Sequence, residues 1–89
     1  MEITNKYFNK ATEIAAIDQL CEKLESKGFK TRREVRLGNR VFDVLADKNA
    51  EKIAFEIKTK CLEPQAKESI KEMRSIAKEH GYSFRVLIA

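Results

Sequence analysis

Only one proline and three glycines occur in the 89 residues. That scarcity excludes flexible linkers and low-complexity stretches, and it makes each of these four residues a boundary marker. Tryptophan is missing, and one histidine, His80, accompanies two cysteines, Cys21 and Cys61. So few soft ligands make no zinc pattern. Both thiols are expected to be reduced, Cys21 as a small core residue and Cys61 partly exposed. No apolar run approaches the ~20 residues of a membrane span, and no signal peptide is visible. A cytoplasmic protein with no membrane partner is expected.

What the chain does have is charge. Charged residues make up 36% of it and apolar residues 43%, with a net charge of +4. This is globular composition, and the length suits a single domain over residues 1–89, near the lower limit for one hydrophobic core. The charge is unevenly spread. Lys27, Lys30, Arg32, Arg33, Arg36 and Arg40 stand in one stretch against Glu34 alone. Such a run favours phosphate backbones, and a solvated strand edge is the plainer alternative.

The periodicities give an element order. Ile3, Tyr7, Ala11, Ile14, Ile17, Cys21 and Leu24 recur at helical spacing, predicting a helix over about residues 5–27. Thr4 or Asn5 is placed to cap it and Gly28 to end it. A shorter helix beginning at Thr12 is the alternative. Residues 29–37 read as a strand with Phe29, Thr31, Arg33, Val35 and Leu37 on one face, and Gly38-Asn39 as the turn into a second strand. Residues 53–60 form a third strand after the polar run 47–52. Pro64 suits the first turn of a second helix, with Ala66, Ile70, Met73, Ile76 and Ala77 as its apolar stripe and Gly81 as its end. The run 83–89 is near-continuously apolar, as expected of a parallel strand buried on both faces.

Charges inside the apolar middle strands need a reason, because buried charge is costly unless paired or metal-bound. With a turn centred near Asn49, Asp43 lies opposite Phe55 and diagonal to Glu56. Strand alternation puts Lys58 on the face of Glu56. Two carboxylates and a lysine in one place suit phosphodiester hydrolysis. Carboxylates hold Mg²⁺, the metal polarises phosphate and acidifies water, and the lysine offsets charge. An ion pair blunting a sheet edge is the alternative. Asp43 and Glu56 are expected to repel one another, so that replacing Asp43 by Ala leaves the fold intact or slightly more stable.

The order α-β-β-β-α-β, with Asp43 in Val41-Phe42-Asp43-Val44-Leu45-Ala46 and Phe55-Glu56-Ile57-Lys58-Thr59-Lys60 thirteen residues on, resembles the PD-(D/E)xK, or restriction-endonuclease-like, nuclease superfamily. Within it the chain is most similar to the archaeal Holliday junction resolvases. Lys27-Gly28-Phe29 resembles the end of their first helix, and Gln65-Ala66 the opening of their second. The resemblance implies a minimal α/β core: a mixed four-stranded sheet flanked by two helices. It implies a DNA endonuclease using Mg²⁺ or Mn²⁺, cutting branched or junction substrates as a homodimer. Asp43, Glu56 and the backbone carbonyl of Ile57 would bind the metal, Lys58 would position the attacking water, and Gln65 would support the site. Arg32, Arg33, Arg36, Arg40 and Lys60 are the expected DNA contacts.

Two positions depart from the pattern. The first-helix carboxylate of these nucleases falls on or near Ile17, with Glu13 or Asp18 as the nearest substitutes. Val41-Phe42, with no proline, precedes Asp43. A catalytically silent nuclease-like domain that binds nucleic acid or a protein partner is therefore the rival expectation.

Overall fold

Helix α1 covers Glu2–Ser26 and helix α2 covers Pro64–Glu79, and each stops just before a glycine. In α1 the N–H of Phe29 donates to the Leu24 carbonyl, and that of Gly28 to Glu25, with Gly28 at φ 94°. In α2 the same pair of bonds runs from Tyr82 to Ala77 and from Gly81 to Lys78, with Gly81 at φ 83°. A left-handed residue here satisfies carbonyls the helix leaves unpaired, and glycine adopts it without a Cβ clash. The structure is a computed structural model that describes the backbone of residues 2–58 and 64–88 and the side chains of residues 11–58 and 67–88. Helix α1 begins before the predicted caps, so Thr4 and Asn5 lie within it. The side chains of Ile3, Tyr7 and Ala66 lie outside the described residues.

Four strands lie in the order β1 (Lys30–Leu37), β2 (Arg40–Lys48), β3 (Glu51–Lys58) and β4 (Ser83–Ile88). The first two pairings are antiparallel and β3–β4 is parallel. This is the expected α-β-β-β-α-β order and mixed sheet. The polar run 47–52 is mostly strand. Lys48 pairs with Glu51 across a two-residue turn in which Asn49 takes φ 53°. Asparagine tolerates that conformation better than most side chains. Strand β4 is parallel as expected, yet it is not buried on both faces. It forms an outer edge of the sheet, and Leu87 and Ile88 are exposed.

The helices cover opposite faces. Against α1 lie Val44, Ala46, Ile53 and Phe55, packed on Cys21 and Leu24. Against α2 lie Phe42, Leu45 and Ala54, packed on Met73, Ala77 and Tyr82. Strand alternation explains Val44, Leu45 and Ala46, but Phe42 and Val44 should then share a face. They do not, because β2 changes phase at Asp43. Strand β1 changes phase on the same rung. Thr31 and Arg33 reach α1 residues, while Val35 and Leu37 pack on the α2 side. The residue between is Glu34, at φ 51°, flanked by the pairs Arg33↔Val44 and Val35↔Phe42. The expected single face for Thr31, Arg33, Val35 and Leu37 is thus corrected. A left-handed glutamate costs about 1–3 kcal/mol, and such outliers gather at functional sites.

Candidate active site

The β2–β3 ladder ends at Val44↔Phe55, while β3 continues to Lys58 with β4 on its other side. Because the turn is Asn49-Ala50 rather than centred on Asn49, this register puts Asp43 level with Glu56, one residue away from the expected Phe55. Where the ladder stops, the Asp43 side chain substitutes for a strand partner. Its Oδ2 accepts the backbone N–H of Ile57 at 2.8 Å. That contact brings the carboxyl group against Glu56.

Glu56 has a side chain only 14% exposed, and its Oε2 lies 3.4 Å from the Nζ of Lys58. The other oxygen, Oε1, is buried with no hydrogen-bond partner among the described residues. Burial, with the neighbouring Asp43 carboxylate adding to it, pushes the Glu56 carboxyl up to about 7, against the opposing pull of Lys58. So Asp43, Glu56 and Lys58 come together where two strands part. Among the described residues Lys58 is the one cation paired with Glu56, so two partly desolvated carboxylates leave the described site short of positive charge.

On the α1 side, Asp43 also lines a cleft of about 250 Å³ with Ile14, Ile17, Arg33 and Glu34. The helix contributes only isoleucines to the described wall. Asp18 is held by Arg33, with Oδ1 to Nη1 at 2.5 Å, and neither Asp18 nor Glu13 is among the described lining residues. Glu34 had no sequence signal. Left-handed backbone is ordinarily announced by Gly, Asn or Asp, and glutamate announces nothing.

The arginines do not form one patch. Arg33 faces α1 through Asp18. Arg32 bonds the Tyr82 hydroxyl at 2.9 Å and lies 3.4 Å from Asp47, near the far end of β2. Arg40 grips Glu72 of α2 at 2.7 Å, and its charge is also felt by Glu56. Arg36 is exposed and has no ion-pair partner among the described residues. Lys60, Cys61 and the side chain of Gln65 lie outside the described residues. Among those described, no group of three or more His, Cys, Asp and Glu gathers tightly enough to hold a metal by itself, and no helix is long and apolar enough to cross a membrane.

The same architecture occurs in solved proteins. A repair endonuclease from Pyrococcus abyssi superposes with a TM-score of 0.57 at 23% identity, over 88% of this chain and 36% of its own. The protein of unknown function AF1548 superposes with a TM-score of 0.61 at 18% identity, over 83% of this chain and 47% of its own. The likeness is one of fold. The chain spans less than half the length of either neighbour. No family model and no curated protein matches the sequence.

Proposed function

We propose that the chain is a nuclease-like domain of the PD-(D/E)xK type that hydrolyses DNA phosphodiesters with Mg²⁺ or Mn²⁺. The observation that carries this reading is the buried Oε1 of Glu56, without a hydrogen-bond partner among the described residues, beside Asp43 and Lys58. An orphaned carboxylate oxygen in a site short of positive charge suits a hard cation. Asp43, Glu56 and the Ile57 carbonyl would hold it. A cation there supplies polarisation of the phosphate and acidification of a bound water. Lys58 places its ammonium beside Glu56, where it would orient a water and offset charge building on the phosphoryl oxygens. The fold shared with a repair endonuclease supports the substrate class, and a homodimer would let two such sites cut paired strands.

A second reading has its own support. Ile17 stands where a helix carboxylate is expected, and it lines the cleft. A silent domain that binds nucleic acid would look like this. Cleavage of branched and linear DNA, with and without millimolar Mn²⁺, decides between them. Metal-dependent cutting lost in Asp43→Asn establishes the nuclease. DNA binding without cutting by the intact chain establishes the silent domain.

A further inference from the structure

We infer that the cleft between α1 and the Glu34–Asp43 rung receives an unpaired nucleobase of the substrate strand, next to the phosphate to be cut. The inference rests on the nuclease reading and adds a substrate class to it: DNA with unpaired nucleotides at the cleavage point.

The size is the first support. A cleft of about 250 Å³ falls just below the ~300 Å³ lower end of pockets for drug-sized ligands, which leaves room for one heterocycle and not for a duplex. The lining is the second. Ile14 and Ile17 stand three apart on one helix face, and Ile14 is 48% exposed although large and apolar. Opposite them are one guanidinium, Arg33, and one carboxylate, Glu34. A base has just these needs: apolar contact for its faces, and a donor and an acceptor for its edge. A phosphate group is poorly matched to the described lining, where two carboxylates and two aliphatic side chains stand against one arginine that also holds Asp18.

The position is the third support. Asp43 belongs to both the cleft and the carboxylate site, so a base seated on the isoleucines has its own phosphate within reach of Glu56 and Lys58. The left-handed backbone at Glu34 puts that side chain at the cleft instead of in the strand's ordinary alternation. Extracting a base from a duplex costs a few kcal/mol, and a base already unpaired spares that cost. The selectivity thus lies in the substrate.

The test uses the full chain without metal and fluorescent oligonucleotides of equal length, one a complete duplex and one carrying a short single-stranded gap. The wild type should bind the gapped DNA about 10-fold tighter, the scale of one stacked base. A 2-aminopurine placed in the gap should change its fluorescence on binding. Ile14→Ser should erase both the preference and the fluorescence change, and Ile14→Val should retain them. Equal wild-type affinities, or a preference that survives Ile14→Ser, overturn the inference. So does an oligomeric state that Ile14→Ser dissociates while the DNA preference stays, since the cleft would then hold a second copy. Metal-dependent cutting of both DNAs without preference would overturn this inference and leave the nuclease intact. No binding and no cutting of either would remove both.

Discussion

The Asp43 carboxylate caps the amide of Ile57 at 2.8 Å, so the residue proposed as a metal ligand also finishes the β2–β3 junction. Its removal therefore does more than relieve repulsion. The expectation that Asp43→Ala is neutral or stabilising needs correcting, because an orphaned buried amide costs about 1–3 kcal/mol.

Asp43→Asn should separate the two roles. The amide oxygen can still accept from Ile57, while the charge is gone. Thermal unfolding without metal should rank Asn above Ala by about 1–2 kcal/mol, and both should lack the stabilisation by millimolar Mg²⁺ that the proposed metal site predicts for the wild type, about 2.7 kcal/mol at 100 times Kd. Equal stability of the two variants would show that the Ile57 contact contributes nothing.

Stability should fall as pH rises. The folded Glu56 carboxyl sits at about 7, above its ordinary 4.5. The native state then binds more protons than the unfolded chain between these values. The stabilisation is fully present below about 4.5 and is lost on passing 7. With screening allowed for, the loss is about 1–2 kcal/mol, roughly 4–16 °C in Tm. Glu56→Gln should flatten this dependence. Metal should lower the apparent carboxyl pKa, read by NMR titration of the Glu56 side chain.

Lys58→Ala removes the cation 3.4 Å from Glu56. Metal-dependent stabilisation should persist, while cleavage falls by about 10²–10³. Loss of the metal response together with unfolding would instead mark the trio as a structural ion pair.

Arg40 is tied to Glu72, whose carboxyl its guanidinium holds below the usual range. If Arg40 exchanges that partner for a phosphate on binding DNA, reversing Arg40 and Arg36 together should weaken affinity and reduce the log K–log salt slope by about 0.9 per lost contact. Glu72→Gln should strengthen binding at low salt. An unchanged slope in the double reversal would confine both arginines to the free protein's surface.

Much of this fold was legible because its signals are local. Gly28 and Gly81 end their helices as their places predict, and the stripe of Ile70, Met73 and Ala77 faces the core. The convergence of Asp43, Glu56 and Lys58 followed from counting along two strands, although the two-residue turn moved the register by one. What could not be read was set by tertiary contact. Nothing local says that β4 ends as an edge, or that Arg32, Arg33 and Arg40 each meet a different acid on a different element. The phase change at Glu34 was hidden for the same reason. It is visible only once each helix has claimed its face of the sheet.

That phase change means Glu34 and Asp43 are surplus to the alternation. Without them, Arg33 would be followed by Val35 and Phe42 by Val44, and every neighbour would keep the face it has now. Deleting both residues together should shorten the hairpin by one step and preserve its register and both apolar layers. Deleting either alone should shear one strand past the other, as a single-residue slip does. The carboxylate at the heart of the candidate site thus lies outside the alternation that sets both apolar layers, and its one tie to the scaffold among the described residues is the cap on the Ile57 amide.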